Sequence, residues 1–280
     1  MSSIEEAGRP NNPIKKLSKE ISRYATIKEQ EITELKKMAV FRKEFLADVS
    51  HELKTPLFAA QGFIHTLLDG AISDKNVRNR FLKKAGKSLS RLDKLVQDLL
   101  VISQMETGSI KMNYSHFNLH DLVQEAFDQL EVKAEKKSLK LCFAHNCPTE
   151  VFAFADKQKI FQVLLNLILN AINYTKESDA KITLNLIEQE SIVQVTVKDN
   201  GVGIPREDIN RIFERFYRVD KSRAKDRGGS GLGLAIVKHI LEAHHQKISV
   251  ESKMGEGSVF SFSLQKGVKE EVMVDEQPHR

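Results

Sequence analysis

The sequence predicts an α+β chain in two parts. The first is a helical hairpin that pairs with a second copy as a dimeric four-helix bundle. The second is an α/β sandwich with helices on one face of a mostly antiparallel sheet. Two observations carry this reading: an apolar seam at helical spacing through the first part, and a change to mixed helix and strand patterning near Gly108.

The seam runs through Ile32, Leu35, Ala39, Leu46, Val49, Leu53, Ala60, Phe63 and Leu67, mostly in steps of three and four. Sustained over several heptads, such spacing marks a coiled-coil or bundle seam. Asp69-Gly70 should stop this helix, because glycine suits a C-terminal cap. Ser73-Asp74 offers the N-cap of a second helix, whose seam continues through Phe81, Ala85, Ser88, Leu92, Leu95, Leu99 and Ile102 to about Glu106–Gly108. Leu89, Val96 and Leu100 widen the stripe beyond what one hairpin covers, hence the expected dimer.

Beyond Gly108, helices are predicted over Leu119–Lys136, Lys157–Tyr174, Glu207–Tyr217 and Leu232–His244. Strands are predicted over Leu139–Phe143, Val151–Ala155, Lys181–Leu186, Ile192–Lys198, Lys247–Ser252 and Ser258–Leu264. The middle two should pair, and the last two should close as a hairpin around Gly255-Glu256-Gly257.

Composition excludes several classes. With 43 Lys+Arg against 38 Asp+Glu, the 280-residue chain carries only +5, and its basic residues are interleaved with acids, so no nucleic-acid partner is expected. Two cysteines, Cys142 and Cys147, cannot make a disulfide framework or a four-thiolate zinc site, which points to a reducing, cytoplasmic compartment. No run of about eighteen apolar residues exists, so no membrane-spanning helix is expected in the chain.

Four places concentrate chemistry. His51, in Ser50-His51-Glu52-Leu53-Lys54-Thr55-Pro56, lies two positions from both Val49 and Leu53. At about 100° per residue its imidazole points away from the seam, and Glu52 can hold one ring nitrogen while the other stays free as a nucleophile. Asn166, Asn170 and Asn173 share one face of an otherwise apolar helix, where burying three amides without partners is costly. Asn170 offers a neutral oxygen suited to Mg²⁺ that carries nucleotide phosphates. Asp199-Asn200-Gly201-Val202-Gly203-Ile204 follows a strand; its glycines let backbone approach a planar ligand and its carboxylate can accept an exocyclic amine. Asn-Gly is equally a hairpin turn dipeptide, so this motif alone is weak. Gly228-Gly229-Ser230-Gly231-Leu232-Gly233-Leu234 opens a helix, where backbone N–H groups and the helix dipole favour phosphate. The charged stretch Arg218–Arg227 before it has almost no apolar anchors and reads as a lid.

In this order, FLADVSHELKTPL, NLILNAINYT, DNGVGI, IFERFYRV, GGSGLGLAIVKHI and GEGSVFSF resemble the boxes of the transmitter region of bacterial sensor histidine kinases, over Phe41 to Leu264. The resemblance implies a Bergerat-type ATP-binding domain behind the bundle. It divides the chain into an incoming linker or signalling helix (1–30), a dimerisation and histidine phosphotransfer domain (31–108), a catalytic ATP-binding domain (109–266) and a flexible tail (267–280). By the same resemblance His51 is the phospho-acceptor, Glu52 its acid/base, and Thr55 the position that orients water when such proteins dephosphorylate their partner. Asn170 is the Mg²⁺ ligand, Tyr174 packs on adenine, Asp199 accepts its amino group, and Arg218 reaches the γ-phosphate. Asn166, Asn173, Gly201, Gly203, Ile204, Lys221 and Ser258 complete the nucleotide-facing set, with the backbone of Gly229, Ser230, Gly231, Leu232, Gly233 and Leu234 on the phosphates. ATP and Mg²⁺ are the implied cofactors; a homodimer and a response regulator receiver domain are the implied partners, and by the same resemblance a membrane enters only through a sensor segment ahead of the bundle or through a partner protein.

The chain departs from the family at Asn173, where a lysine is usual. Either ATP binds more weakly, or Lys176, Lys221 or another lid base compensates. Related ATPases carry a water-activating Glu where this chain has Asn166, which favours transfer to histidine over ATP hydrolysis. The competing readings are a nucleotide-hydrolysing ATPase and a dimeric scaffold without phosphotransfer.

Overall fold

A computed structural model describes residues 13–106, 111–175, 179–219 and 229–269. By packing, the chain divides into residues 1–55 and 56–280. The division falls inside helix α1 (Pro13–Leu68), which contains Pro56. In the first unit the helix leaves Leu17, Ile21, Tyr24, Ile32 and Leu35 exposed. Leu46 of the seam is exposed too.

In the second unit, α1 packs on α2 (Lys75–Glu106): Ala60, Leu67, Ala85, Leu95 and Ile102 are buried, and the Phe63 and Phe81 rings lie 5.5 Å apart. Gly70, at φ 110, opens the turn between the helices, and Asp74 caps α2 by accepting from the amides of Asn76 and Val77. Leu82, Leu89, Val96 and Leu100 stay exposed along α2.

The sandwich comprises β1 (Tyr114–Asn118), α3 (Leu119–Glu135), β2 (Lys140–Phe143), β3 (Phe152–Asp156), α4 (Lys157–Asn173), β4 (Lys181–Glu188), β5 (Ile192–Asp199), α5 (Gly233–Ala243), β6 (Ile248–Lys253) and β7 (Gly257–Lys266). The strands order β1-β3-β7-β5-β4-β2, with β6 also paired to β7, and every pairing is antiparallel except β2 with β4. Burial alternates along β4 and β5: Ile182, Leu184, Leu186, Val193, Val195 and Val197 face the core under α3, α4 and α5. α4 runs between α3 and α5, so its apolar stripe, Ile160 to Ile172, is buried among them and against the sheet.

β1 is a strand that periodicity does not reveal. It pairs with β3 from Tyr114↔Asp156 to Asn118↔Phe152. Asp156 joins this edge together: its carboxylate accepts from the amides of Asn113 and Lys159, and its own amide donates to Nε2 of buried His244. The His244 Nδ1 lies 2.8 Å from the Ile240 carbonyl, and burial lowers the imidazole pKa, so the neutral ring bridges β3 and α5.

The predicted helix over Glu207–Tyr217 is instead a chain of turns, with amides of Asp208, Arg211 and Glu214 bonded three residues back. Its apolar spacing is helical, but Phe216 adopts φ 60 and the Tyr217 hydroxyl folds back to Asp208 Oδ1 at 2.5 Å, which the straight helix cannot satisfy. The tail expected to fray from Gly267 is tied down at its start: Gly267 N–H donates to the Phe152 carbonyl and Val268 N–H to His116 Nδ1. Among the described residues, no helix is long and apolar enough to cross a membrane. Both thiols are free.

Candidate functional site

The sheet's β5 end, the C-terminal half of α4 and the start of α5 enclose a cleft of about 320 Å³, the size of a small-molecule site. α4 contributes Asn166, Asn170 and Asn173, all half-buried and all lining it, with Tyr174 at the helix C-cap. Three amides on one face of an apolar helix thus meet the cleft, while the other faces of α4 bury leucine and isoleucine.

The loop after β5 forms one wall. Asp199 is 8% exposed, and its Oδ1 accepts the Gly201 amide at 2.8 Å, which turns the chain sharply at the strand end. Val202 N–H donates to the Tyr174 carbonyl, joining this loop to the end of α4. Gly203, at φ 75, sits so close to the β6–β7 turn that a Cβ would stand 2.1 Å from the Lys253 carbonyl oxygen. Gly203→Ala is therefore expected to destabilise the domain by about 2 kcal/mol or more, from left-handed strain plus a clash with backbone. Thermal unfolding checks this; an unchanged melting temperature would contradict the geometry. Ile204 and Ser258 also line the cleft.

The glycine-rich loop forms the opposite wall. The Phe216 amide donates to the Gly231 carbonyl at 3.0 Å, clasping the two ends of the intervening segment. Gly231, at φ 75, lies against Phe216, where a Cβ would come within 2.8 Å of backbone. Gly229, Ser230, Gly233 and Leu234 line the cleft, and Gly233 packs so that a Cβ there would sit 3.3 Å from Asn166 Oδ1. Leu232 does not line it: its side chain is fully buried, and its amide donates to Ser230 Oγ at 3.2 Å. Gly201 is likewise behind the wall, its Cα facing the Tyr174 carbonyl. Arg218 reaches the cleft, beside Tyr217, whose ring stacks on the Arg211 guanidinium at 4.3 Å. Lys176, Lys221 and the rest of the expected lid beyond Val219 lie outside the described residues.

Sequence reasoning missed Lys94 and Asp98 of α2, Tyr217 and Met254, all of which line the cleft. Asp98 is only 6% exposed, and Ser230 Oγ donates to its Oδ2 at 3.3 Å. Burial raises its carboxyl pKa, against the opposing pull of Lys94 and of the Ser230 hydrogen bond.

In the other unit, His51 and Thr55 are exposed on α1, Glu52 is half-buried, and Thr55 Oγ1 donates to the His51 carbonyl at 3.1 Å. That bond is to backbone, so it leaves the imidazole unencumbered by Thr55.

Residues 155–268 match the family described as histidine kinase-, DNA gyrase B-, and HSP90-like ATPase, and residues 41–108 match the His Kinase A (phospho-acceptor) domain. The chain is 36% identical over 236 residues to the sensor histidine kinase WalK of Bacillus subtilis (strain 168), covering 84% of this chain and 38% of that protein. A sensor protein kinase WalK of Staphylococcus aureus is 35% identical over 237 residues, covering 84% and 56%. Among solved structures, the Acinetobacter baumannii histidine kinase AdeS matches at TM-score 0.61 and 26% identity, over 77% of this chain and 97% of that one. Histidine kinase ThkA, in complex with the response regulator protein TrrA, matches at TM-score 0.62 and 28% identity, over 80% and 61%. The chain carries, in order, the phospho-acceptor and ATPase domains of a two-component histidine kinase transmitter region. It spans between 38% and 56% of the length of these two curated relatives.

Proposed function

We propose that the chain is an ATP-dependent protein-histidine kinase that phosphorylates His51 and passes the phosphoryl group to an aspartate of a response regulator receiver domain. One observation carries the reading: the asparagine face of α4, the Asp199 loop and the glycine-rich loop, far apart in sequence, line one cleft.

The cleft's two ends differ as a nucleotide's do. Asp199, Ile204 and Ser258 give a mostly enclosed end with one carboxylate, suited to a base with an exocyclic amine. Asn170, the glycine-rich loop and Arg218 give a polar end at the α5 N-terminus, suited to phosphates. The donor set also fits Mg²⁺, since Asn170 is a neutral oxygen donor that leaves coordination positions for phosphate and water. Held there, Mg²⁺ would supply neutralisation of the charge on the transferring phosphoryl group.

The chain's own residues do the rest. Arg218 places a fixed positive charge at the phosphate end. Glu52 takes the imidazole proton as one ring nitrogen of His51 bonds to phosphorus, the bond to the departing ADP oxygen breaks, and phosphohistidine results. The P–N bond is labile, which suits onward transfer to a carboxylate. On this reading Thr55, one turn on from His51, orients water in the dephosphorylation of the partner. The exposed apolar residues of α1 and α2 support a homodimer, and the likeness to ThkA, solved with a response regulator, supports the receiver-domain partner.

The test is incubation with γ-labelled ATP and Mg²⁺. Label on the protein that is acid-labile and base-stable is the expected result. Steady phosphate release with no protein-bound label would overturn the kinase reading in favour of an ATPase.

A further inference from the structure

The nucleotide cleft has a carboxylate of its own at the phosphate end, supplied by the bundle helix. Asp98 reaches from α2 to the glycine-rich loop, where its Oδ2 accepts from Ser230 Oγ at 3.3 Å. The same hydroxyl accepts the Leu232 amide, the group at the N-cap of α5. A helix N-terminus is where a negative charge is stabilised, and here a carboxylate, relayed through one hydroxyl, stands two residues from the cap. The contact is enclosed: Asp98 is 6% exposed, and α2 packs directly on α5. Lys94, one turn earlier on α2, lines the same cleft.

We propose that Asp98 is a resident competitor of the nucleotide's phosphates: docked on Ser230 it holds the glycine-rich loop against α2, and phosphate and carboxylate exclude each other there. Two anions in a cleft of low dielectric repel far more strongly than in water. Phosphate binding therefore releases Asp98, and α2 docking weakens phosphate binding by the same factor, as linkage requires. This rests on the ATP-site reading above, and it adds a control that the reading alone does not contain. The competition acts on phosphates and leaves the base end untouched.

The experiment measures adenosine, AMP, ADP and ATP affinities of the full chain with Mg²⁺ by calorimetry, for wild type, Asp98→Asn and Asp98→Ala. Asn keeps an acceptor for Ser230 and removes the charge; Ala removes both. ATP affinity is expected to rise about tenfold in both variants, ADP affinity by less, and adenosine affinity to stay unchanged, which also shows that the variants are folded. An ATP affinity equal to or below wild type in both variants, with adenosine unchanged, overturns the proposal and leaves the ATP site standing. A gain equal for adenosine and ATP also overturns it, because the effect would then be on the pocket as a whole. If no form binds any adenine nucleotide, the ATP-site reading falls and takes this proposal with it.

Discussion

His51→Gln is expected to abolish acid-labile labelling by γ-labelled ATP, by at least about a thousandfold, because it removes the proposed nucleophile itself. ATP affinity should be unaffected, since the cleft lies in the other packed unit. Glutamine retains polarity and a good helix propensity at an exposed position of α1, so the melting temperature should hardly move. The Thr55 hydroxyl bonds to the carbonyl of residue 51, not its side chain, and survives the change. The substitution therefore separates chemistry from folding and from binding. Persistent acid-labile label would show that a second histidine is the acceptor. Acid-stable label in its place would show transfer to a hydroxyl, and either result removes His51 from its assigned role.

The two long helices were legible because their seam repeats over many turns, and periodicity accumulates where single residues do not. The sandwich was legible for a different reason: its paired strands, such as Ile182–Leu186 and Val193–Val197, alternate cleanly between core and surface. β1, Tyr-Ser-His-Phe-Asn, has no such alternation; it is a strand because its backbone pairs with β3 at the sheet edge. Residues 207–217 misled in the opposite sense. Ile209, Ile212 and Phe213 have helical spacing, but the left-handed Phe216 and the Tyr217–Asp208 bond are decided by where the chain must go next. At the cleft, the asparagine face of α4 and the glycine-rich loop stood out in the sequence, since glycine runs and a stripe of amides are unusual within helices. Lys94 and Asp98 were not. On α2 they look like any solvated charges, and only the docking of α5 buries the carboxylate.

The proposed base end of the cleft makes the sharper test of nucleotide recognition. Asp199→Asn is expected to weaken ATP binding by about ten- to a hundredfold, the cost of a hydrogen bond to a charged acceptor. The substitution is nearly isosteric. Asn keeps an amide oxygen for the Gly201 N–H, now accepted by Asp199 Oδ1 at 2.8 Å, so the turn after β5 should hold and thermal stability should change little. What changes is the other side-chain atom, from an acceptor to an NH₂ donor that would oppose the amino group of adenine. That donor suits the carbonyl of guanine, so the preference for ATP over GTP should shrink together with the ATP affinity. Labelling of His51 should fall at low ATP and recover as ATP is raised, because the loss is in binding and the phosphate end is intact. Alanine at the same position would add the cost of a stranded Gly201 amide, and its larger loss would mix folding with recognition. Unchanged ATP affinity in Asp199→Asn, with the fold retained, would mean that no donor of the nucleotide meets this carboxylate. The base would then have to lie elsewhere in the cleft, and the assignment of its two ends would be lost.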